Sequence, residues 1–173
     1  MQQSRNYITL WRMLLLICVA LCGNATKGLS QQLPPRPFAI YTNPTQGLMF
    51  GAFCQGALGG TLILFADGTR SSTGDVIPLG LGFPFSPAII EVEAPVGSRI
   101  AILNGPDANL TGTNGGNLVL QIGNADVGSN FITTVPPPGR TQVRIGGTLL
   151  IGTPLANPAG YYSGLFTVTF VQE

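Results

Sequence analysis

Beyond residue 37 the chain is a succession of short apolar runs separated by Gly, Pro, Asn and Asp, and no stretch keeps a 3.6-residue period. That punctuation predicts strands and turns rather than helices. Residues 38–42 (FAIYT) and 47–53 (GLMFGAF) are the first two strand candidates. Residues 59–77 predict a hairpin, because Asp67-Gly68 supplies the backbone that a tight turn needs. Along 86–95, Ile90, Val92 and Ala94 alternate with Ile89, Glu91 and Glu93, which assigns the two acids to a wet face. Residues 98–104 follow across Val96-Gly97 and predict a second hairpin with that strand. Residues 109–113 and 117–123 flank the turn 114–116 (NGG). Residues 131–152 are broken at Pro136, Pro137 and Pro138 and continue as a long strand, where Gly146-Gly147 predicts a bulge or a break. Residues 154–160 read as a turn and 161–170 as the last strand. On it Tyr162, Phe166, Val168 and Phe170 share one parity and are expected to face the core, with Thr167 and Thr169 outward. The count and spacing predict an all-β, immunoglobulin-like antiparallel β-sandwich of about seven to ten strands.

The first 30 residues follow a different pattern. Arg5 and Arg12 precede the apolar run 13–22 (MLLLICVALC), and small residues follow through Ser30. That is the three-part layout of a secretory signal peptide. The run falls short of the roughly 20 residues that span a bilayer, so no membrane span is expected after processing. Small residues fit a cut after Ala25 or after Ser30. Leu21 before Cys22 and Ile17 before Cys18 fit lipid attachment poorly. The expected mature chain has an extended N-terminal segment over 31–45, opening with the proline-rich 31–37 (QQLPPRP), and a sandwich domain over 46–173.

Removing the leader changes the chemistry. With the cut after Ser30, which also removes Lys27, the basic residues left are Arg36, Arg70, Arg99, Arg140 and Arg144, against Asp67, Asp75, Glu91, Glu93, Asp107, Asp126 and Glu173. The balance is slightly acidic and offers nucleic acid no basic patch. Cys54 is the one cysteine left, so no disulfide within the chain is expected, and a small buried apolar role suits it. The chain has no histidine, and with it goes the commonest general base and metal ligand. Glu91 and Glu93 share a strand face and could be paired as in a glycosidase, but a solvated face explains them more simply. The four aspartates are spread over turns, whereas a calcium loop needs several oxygens converging within a few residues. No Gly-Lys-Ser/Thr follows any glycine, which leaves no phosphate loop. Phe83, Phe85, Tyr161 and Tyr162 could line a sugar site, although core or subunit contact suits them better. Asn109-Leu110-Thr111 is a glycosylation sequon. No cofactor and no catalytic or metal-ligating residue is expected.

Two segments carry a family resemblance. Residues 47–76 (GLMFGAFCQGALGGTLILFADGTRSSTGDV) resemble the opening motif of the DUF4402 family of bacterial secreted domains: a Leu/Met-Phe-Gly element, a Gly-Gly-Thr strand, a glycine turn and an Arg-Ser/Thr strand. Residues 146–170 (GGTLLIGTPLANPAGYYSGLFTVTF) resemble its closing motif: a Gly-Gly-Thr-Leu strand, a proline turn, and Gly-x-Tyr-x-Gly-x-Phe-x-Val. The family is similar to pilin and fimbrial subunits with immunoglobulin-like sandwiches. The resemblance therefore implies a structural subunit of an extracellular filament, by analogy of fold. Its implied partners are copies of itself, together with a periplasmic chaperone and an outer-membrane assembly protein. The C-terminal Phe170-Val171-Gln172-Glu173 departs from the penultimate aromatic that such chaperones grip. In this reading 31–42 is donated to a neighbour's sheet edge, with Phe38 and Ile40 filling pockets and Tyr41 at the joint. The alternative for 38–42 is the first strand of the chain's own domain. The alternative function is a stand-alone secreted adhesin or carbohydrate-binding module.

Overall fold

A computed structural model describes residues 38–173, so the expected signal peptide and the proline-rich lead-in over 31–37 lie outside the described residues. Thirteen strands make up the domain: β1 (Ala39–Thr42), β2 (Met49–Phe50), β3 (Phe53–Leu64), β4 (Arg70–Pro78), β5 (Phe85–Ser86), β6 (Ala88–Glu93), β7 (Arg99–Asn104), β8 (Ala108–Gly112), β9 (Asn117–Ala125), β10 (Asn130–Ile132), β11 (Thr141–Ile151), β12 (Tyr162–Ser163) and β13 (Val168–Gln172). A 3-10 turn over Pro44–Gln46 is the only helical element among the described residues. All the strand pairings are antiparallel, and the fold is an all-β, immunoglobulin-like sandwich.

The large sheet holds eight strands and is organised around β11. One edge of β11 pairs with β9, and the other pairs first with β6 over Thr141 to Ile145 and then with β3 over Gly147 to Ile151. The sheet therefore forks at Gly146-Gly147. A side chain at Gly146 would run into the backbone of Leu64 and Phe65, so the fork requires glycine there. The register with β9 also shifts at this point, Ile145 lying opposite Ala125 and Gly147 opposite Ile122. The extra residue of the bulge thus sits on β9 rather than in the glycine pair. β1 continues the sheet beyond β6, and the β3–β4 and β8–β9 hairpins extend the other arm. The second layer is the three-stranded sheet β10-β7-β13, accompanied by the two-residue pair β2–β5.

Three local readings of the sequence change. β6 and β7 do not pair with each other. β6 lies in the large sheet and β7 at the centre of the second layer. Val92 and Ala94 on one side and Ile100 and Ile102 on the other cover each other across the layers. Thr133 pins the corner: its N–H donates to Ser98 O, its carbonyl accepts from Gly97 N, and its hydroxyl donates to Pro95 O. The segment 47–53 splits into β2 and β3 at Gly51, where φ is +70°. The last strand is also two strands, β12 on β8 and β13 on β7, because the chain crosses between layers at 164–167. The sandwich includes β1, ahead of the boundary expected at residue 46.

The apolar interior forms two clusters on one face of the large sheet. In one, Ile90, Val92, Val143 and Ile145 of that sheet pack against Ile100, Ile102 and Phe170 of the second layer. The other consists almost wholly of large-sheet residues, among them Leu62, Leu64, Leu118, Leu120, Leu149 and Ile151, with Phe50 of β2 as its one buried residue from outside. The three-stranded sheet contributes no residue to this second cluster; Leu48, Phe53, Leu110, Tyr162 and Phe166 pack against it instead.

Candidate functional site

Beside this second cluster lies a groove of about 750 Å³. Leu118 and Leu149 form its floor, both almost fully buried. Phe53, Leu81, Phe83 and Tyr161 stand along its walls, and Pro84, Pro154 and Pro158 also line it. No charged side chain among the described residues lines it. Leu81, Phe83 and Tyr161 are exposed, the last at 69 %. Phe83 and Tyr161 meet edge to face, with ring centroids 6.2 Å apart. A hydrophobic floor with exposed aromatic walls is the composition of a surface that takes an apolar partner.

Each wall is fixed by a polar side chain. On one side Arg70 of β4 reaches under the 50–52 corner, with Nη1 donating to Phe50 O at 2.8 Å and to Ala52 O at 3.2 Å. Its Nη2 donates to Leu79 O at 3.3 Å, and its guanidinium lies 4.4 Å from the centre of the Phe85 ring. One cation thus ties together both stretches of chain that make this wall. On the other side Asn157 is buried at 5 % exposure. Its Oδ1 accepts from Gly152 N, its Nδ2 donates to Asn117 O at 2.6 Å, and its carbonyl accepts from Gln55 Nε2 at 2.7 Å. These bonds hold the 153–161 loop against β9 and β3. Tyr162 donates its hydroxyl to Pro158 O at 2.6 Å, and burial raises its pKa above the ordinary tyrosine value. Neither Arg70 nor Asn157 stood out in the sequence. The only hint at Arg70 was its place in the Arg-Ser element of the opening motif, and Asn157 lay in a segment that reads as an ordinary turn.

The residues singled out in the sequence fall into separate places. Tyr162 and Phe166 pack against the groove cluster, while Val168 and the buried Phe170 belong to the covered cluster. Thr167 and Thr169 are exposed. The structure seats Ala39–Thr42 on the chain's own β6, the alternative to donation, with Ile40 opposite Val92 and Tyr41 opposite Glu91. Phe38 packs against the covered cluster, and Ile40 is 42 % exposed. Tyr41 lies on the outer face beneath Arg140, whose guanidinium carbon is 3.6 Å from the ring centre. Arg140 also bonds Glu91 at 2.9 Å and stands 3.8 Å from Glu93. The hydrogen bond to Glu91 is the main reason its pKa is raised. The two carboxylates therefore share one cation on a strand face, holding β1 at the sheet edge.

The four aspartates serve four different turns or edges. Asp67 accepts from Thr69, which lowers its pKa; Asp75 accepts from Leu58 N, Asp107 from Gln121, and Asp126 from Arg144 N. Cys54 is exposed rather than buried, at the rim of the groove, because the bulge in β3 carries it to the surface. Phe83 and Tyr161 come together at the groove, whereas Phe85 lies on Arg70. Asn109 is exposed on β8.

Fold and groove together define an immunoglobulin-like β-sandwich domain whose three-stranded sheet contributes to only one of the two core clusters. The chain belongs to the family described as Domain of unknown function (DUF4402), whose model matches residues 40–171. No curated protein and no solved structure matches it.

Proposed function

We propose that the chain is a structural subunit of an extracellular surface filament, exported with its leader removed, which polymerises head to tail by donating its N-terminal segment to the next copy. One observation carries this reading: an uncharged groove beside the one-sheet cluster exposes the apolar side chains of Leu81, Phe83 and Tyr161. Apolar surface of this kind is a liability in a monomer and marks a place for a partner. The described chain begins at the other, covered cluster, where Phe38 packs. Donor and acceptor regions at different ends make a heterologous contact, which repeats without closing when its rotation does not return on itself. The family's likeness to fimbrial subunits points the same way. Velocity sedimentation and negative-stain electron microscopy of the mature protein test this. Long polymers are expected, and a homogeneous monomer at high concentration would overturn it.

The second reading, a secreted adhesin or carbohydrate-binding module, draws on the exposed rings of Phe83 and Tyr161. These meet at 66°, which offers a ligand an edge and a face instead of one flat stacking platform. A monomer that binds immobilised glycans, with binding lost in Y161A, would favour this reading over the filament.

A further inference from the structure

β13 leaves one side of its backbone open. Where it pairs with β7, Gly105 N–H donates to Thr167 O at 2.8 Å and Glu173 N–H donates to Arg99 O at 3.0 Å. An antiparallel ladder alternates, so Thr169 and Val171 also bond β7, while the N–H and C=O groups of Val168, Phe170 and Gln172 point the other way. β13 is the last strand in the order β10-β7-β13, and among the described residues no loop or turn backbone group bonds those three.

Proteins blunt such edges with charge, proline or brevity. The other terminal strands among the described residues conform. β4 carries Asp75 and Pro78, β10 has three residues, β2, β5 and β12 have two each, and the four-residue β1 stops just before Asn43-Pro44. β13 reads Val-Thr-Phe-Val-Gln, and neither proline nor charge occurs from Gly164 through Gln172.

We infer that this edge pairs with the same edge of a second copy, antiparallel and centred on Phe170, so that two three-stranded layers become one continuous sheet. The edge is complementary to itself. With the two-fold axis at Phe170, each Phe170 exchanges two bonds with its counterpart, and Val168 of either copy exchanges two with Gln172 of the other. On the outer face exposed Thr169 and Val171 meet across the join as β-branched pairs, which stabilise neighbouring strands. Charge selects the direction. Glu173 lies opposite Thr167 in this register, so the two carboxylates stand about 20 Å apart along the strands, whereas parallel pairing would set them side by side. The contact is isologous and closes on itself. It does not depend on the filament reading, and within a filament it would join two fibres laterally.

The test uses the mature chain with C54S, so that the only thiols are the introduced ones. T169C and V171C proteins are mixed and mildly oxidised, since these positions face each other at the closest cross-strand pairs. The mixture should give a covalent dimer bonded between positions 169 and 171, mapped by peptide mass, at roughly ten times the yield of either variant alone. V168P and Q172P each remove an N–H on the open side and spare the β7 ladder, a placement that edge strands tolerate. Either one deletes two of the bonds across the join and should lower the yield roughly tenfold, with a cooperative melt showing that the domain is folded. No bond between 169 and 171, equal yields from the single variants, or a yield indifferent to the prolines in a folded protein would overturn the inference. So would a bond from V171C to Y41C of another copy in its place, which would mark a donated N-terminal strand on this edge. Filaments without the 169–171 bond would overturn this contact and leave the filament proposal standing. Linked dimers without filaments would support the contact and overturn the filament proposal.

Discussion

Replacing Asn157 by Ala tests the polar anchor of the groove. The substitution removes the acceptor of Gly152 N–H and the donor to Asn117 O, at a site where the side chain is 5 % exposed. Leaving a buried backbone group unpaired costs about 1–3 kcal/mol. Two such groups give a loss of about 2–6 kcal/mol, a large part of the roughly 5–15 kcal/mol that holds a domain folded. The bond from Gln55 to the Asn157 carbonyl survives, since it uses the backbone. N157D sharpens the test: it keeps the acceptor for Gly152 but faces Asn117 O with a second oxygen, so it should be at least as damaging as N157A. Guanidinium unfolding followed by far-ultraviolet circular dichroism is the assay, because the only tryptophan, Trp11, lies outside the described residues. The midpoint should fall with little change in slope. A loss below about 1 kcal/mol, or an N157D protein as stable as the parent, would refute the role assigned to this network.

Other consequences follow from the same structure. Phe170→Ala empties a site 7 % exposed in the covered cluster and should cost about 3–5 kcal/mol in the same titration. Gly146→Ala places a methyl group against the Leu64 and Phe65 backbone at the fork and should cost about 1–3 kcal/mol, read as a lower melting temperature. Tyr162 has its pKa raised by burial from the ordinary 10.0. Its neutral form is therefore favoured in the folded state, so its contribution is intact below pH 10 and lost as pH climbs past that value. Spectrophotometric titration should show a late phenol signal that disappears in Y162F.

The hairpins were legible because their signals are local. Asp67-Gly68 and Asn114-Gly115-Gly116 sit between apolar runs, and β3–β4 and β8–β9 form there. The alternation of Glu91 and Glu93 with Ile90 and Val92 placed the acids correctly away from the core, since strand parity needs no partner to be read. The corner at 94–98 was not legible: a proline and a glycine between two strands look alike whether the chain returns beside itself or crosses to the other layer. The break between β12 and β13 was hidden for a related reason. Tyr162, Phe166, Val168 and Phe170 keep one parity although they serve two different clusters. The groove left no mark of its own, because the apolar run through Leu81, Phe83 and Phe85 has the same composition whether a second layer covers it or not. Arg70 and Asn157 act through backbone carbonyls and amides that only the tertiary fold brings near.

The position of β11 in the chain sets a timetable for folding. The strand that joins both arms of the large sheet spans Thr141–Ile151, and its partners lie in β3, β6 and β9, all made earlier. Hairpins can form as they are synthesised, but the sheet cannot close until most of the 173 residues exist. Contacts of such long sequence separation fold slowly. The two arms of the large sheet are thereby joined only late in synthesis, and the hairpins made before that point wait as separate units for one strand to unite them.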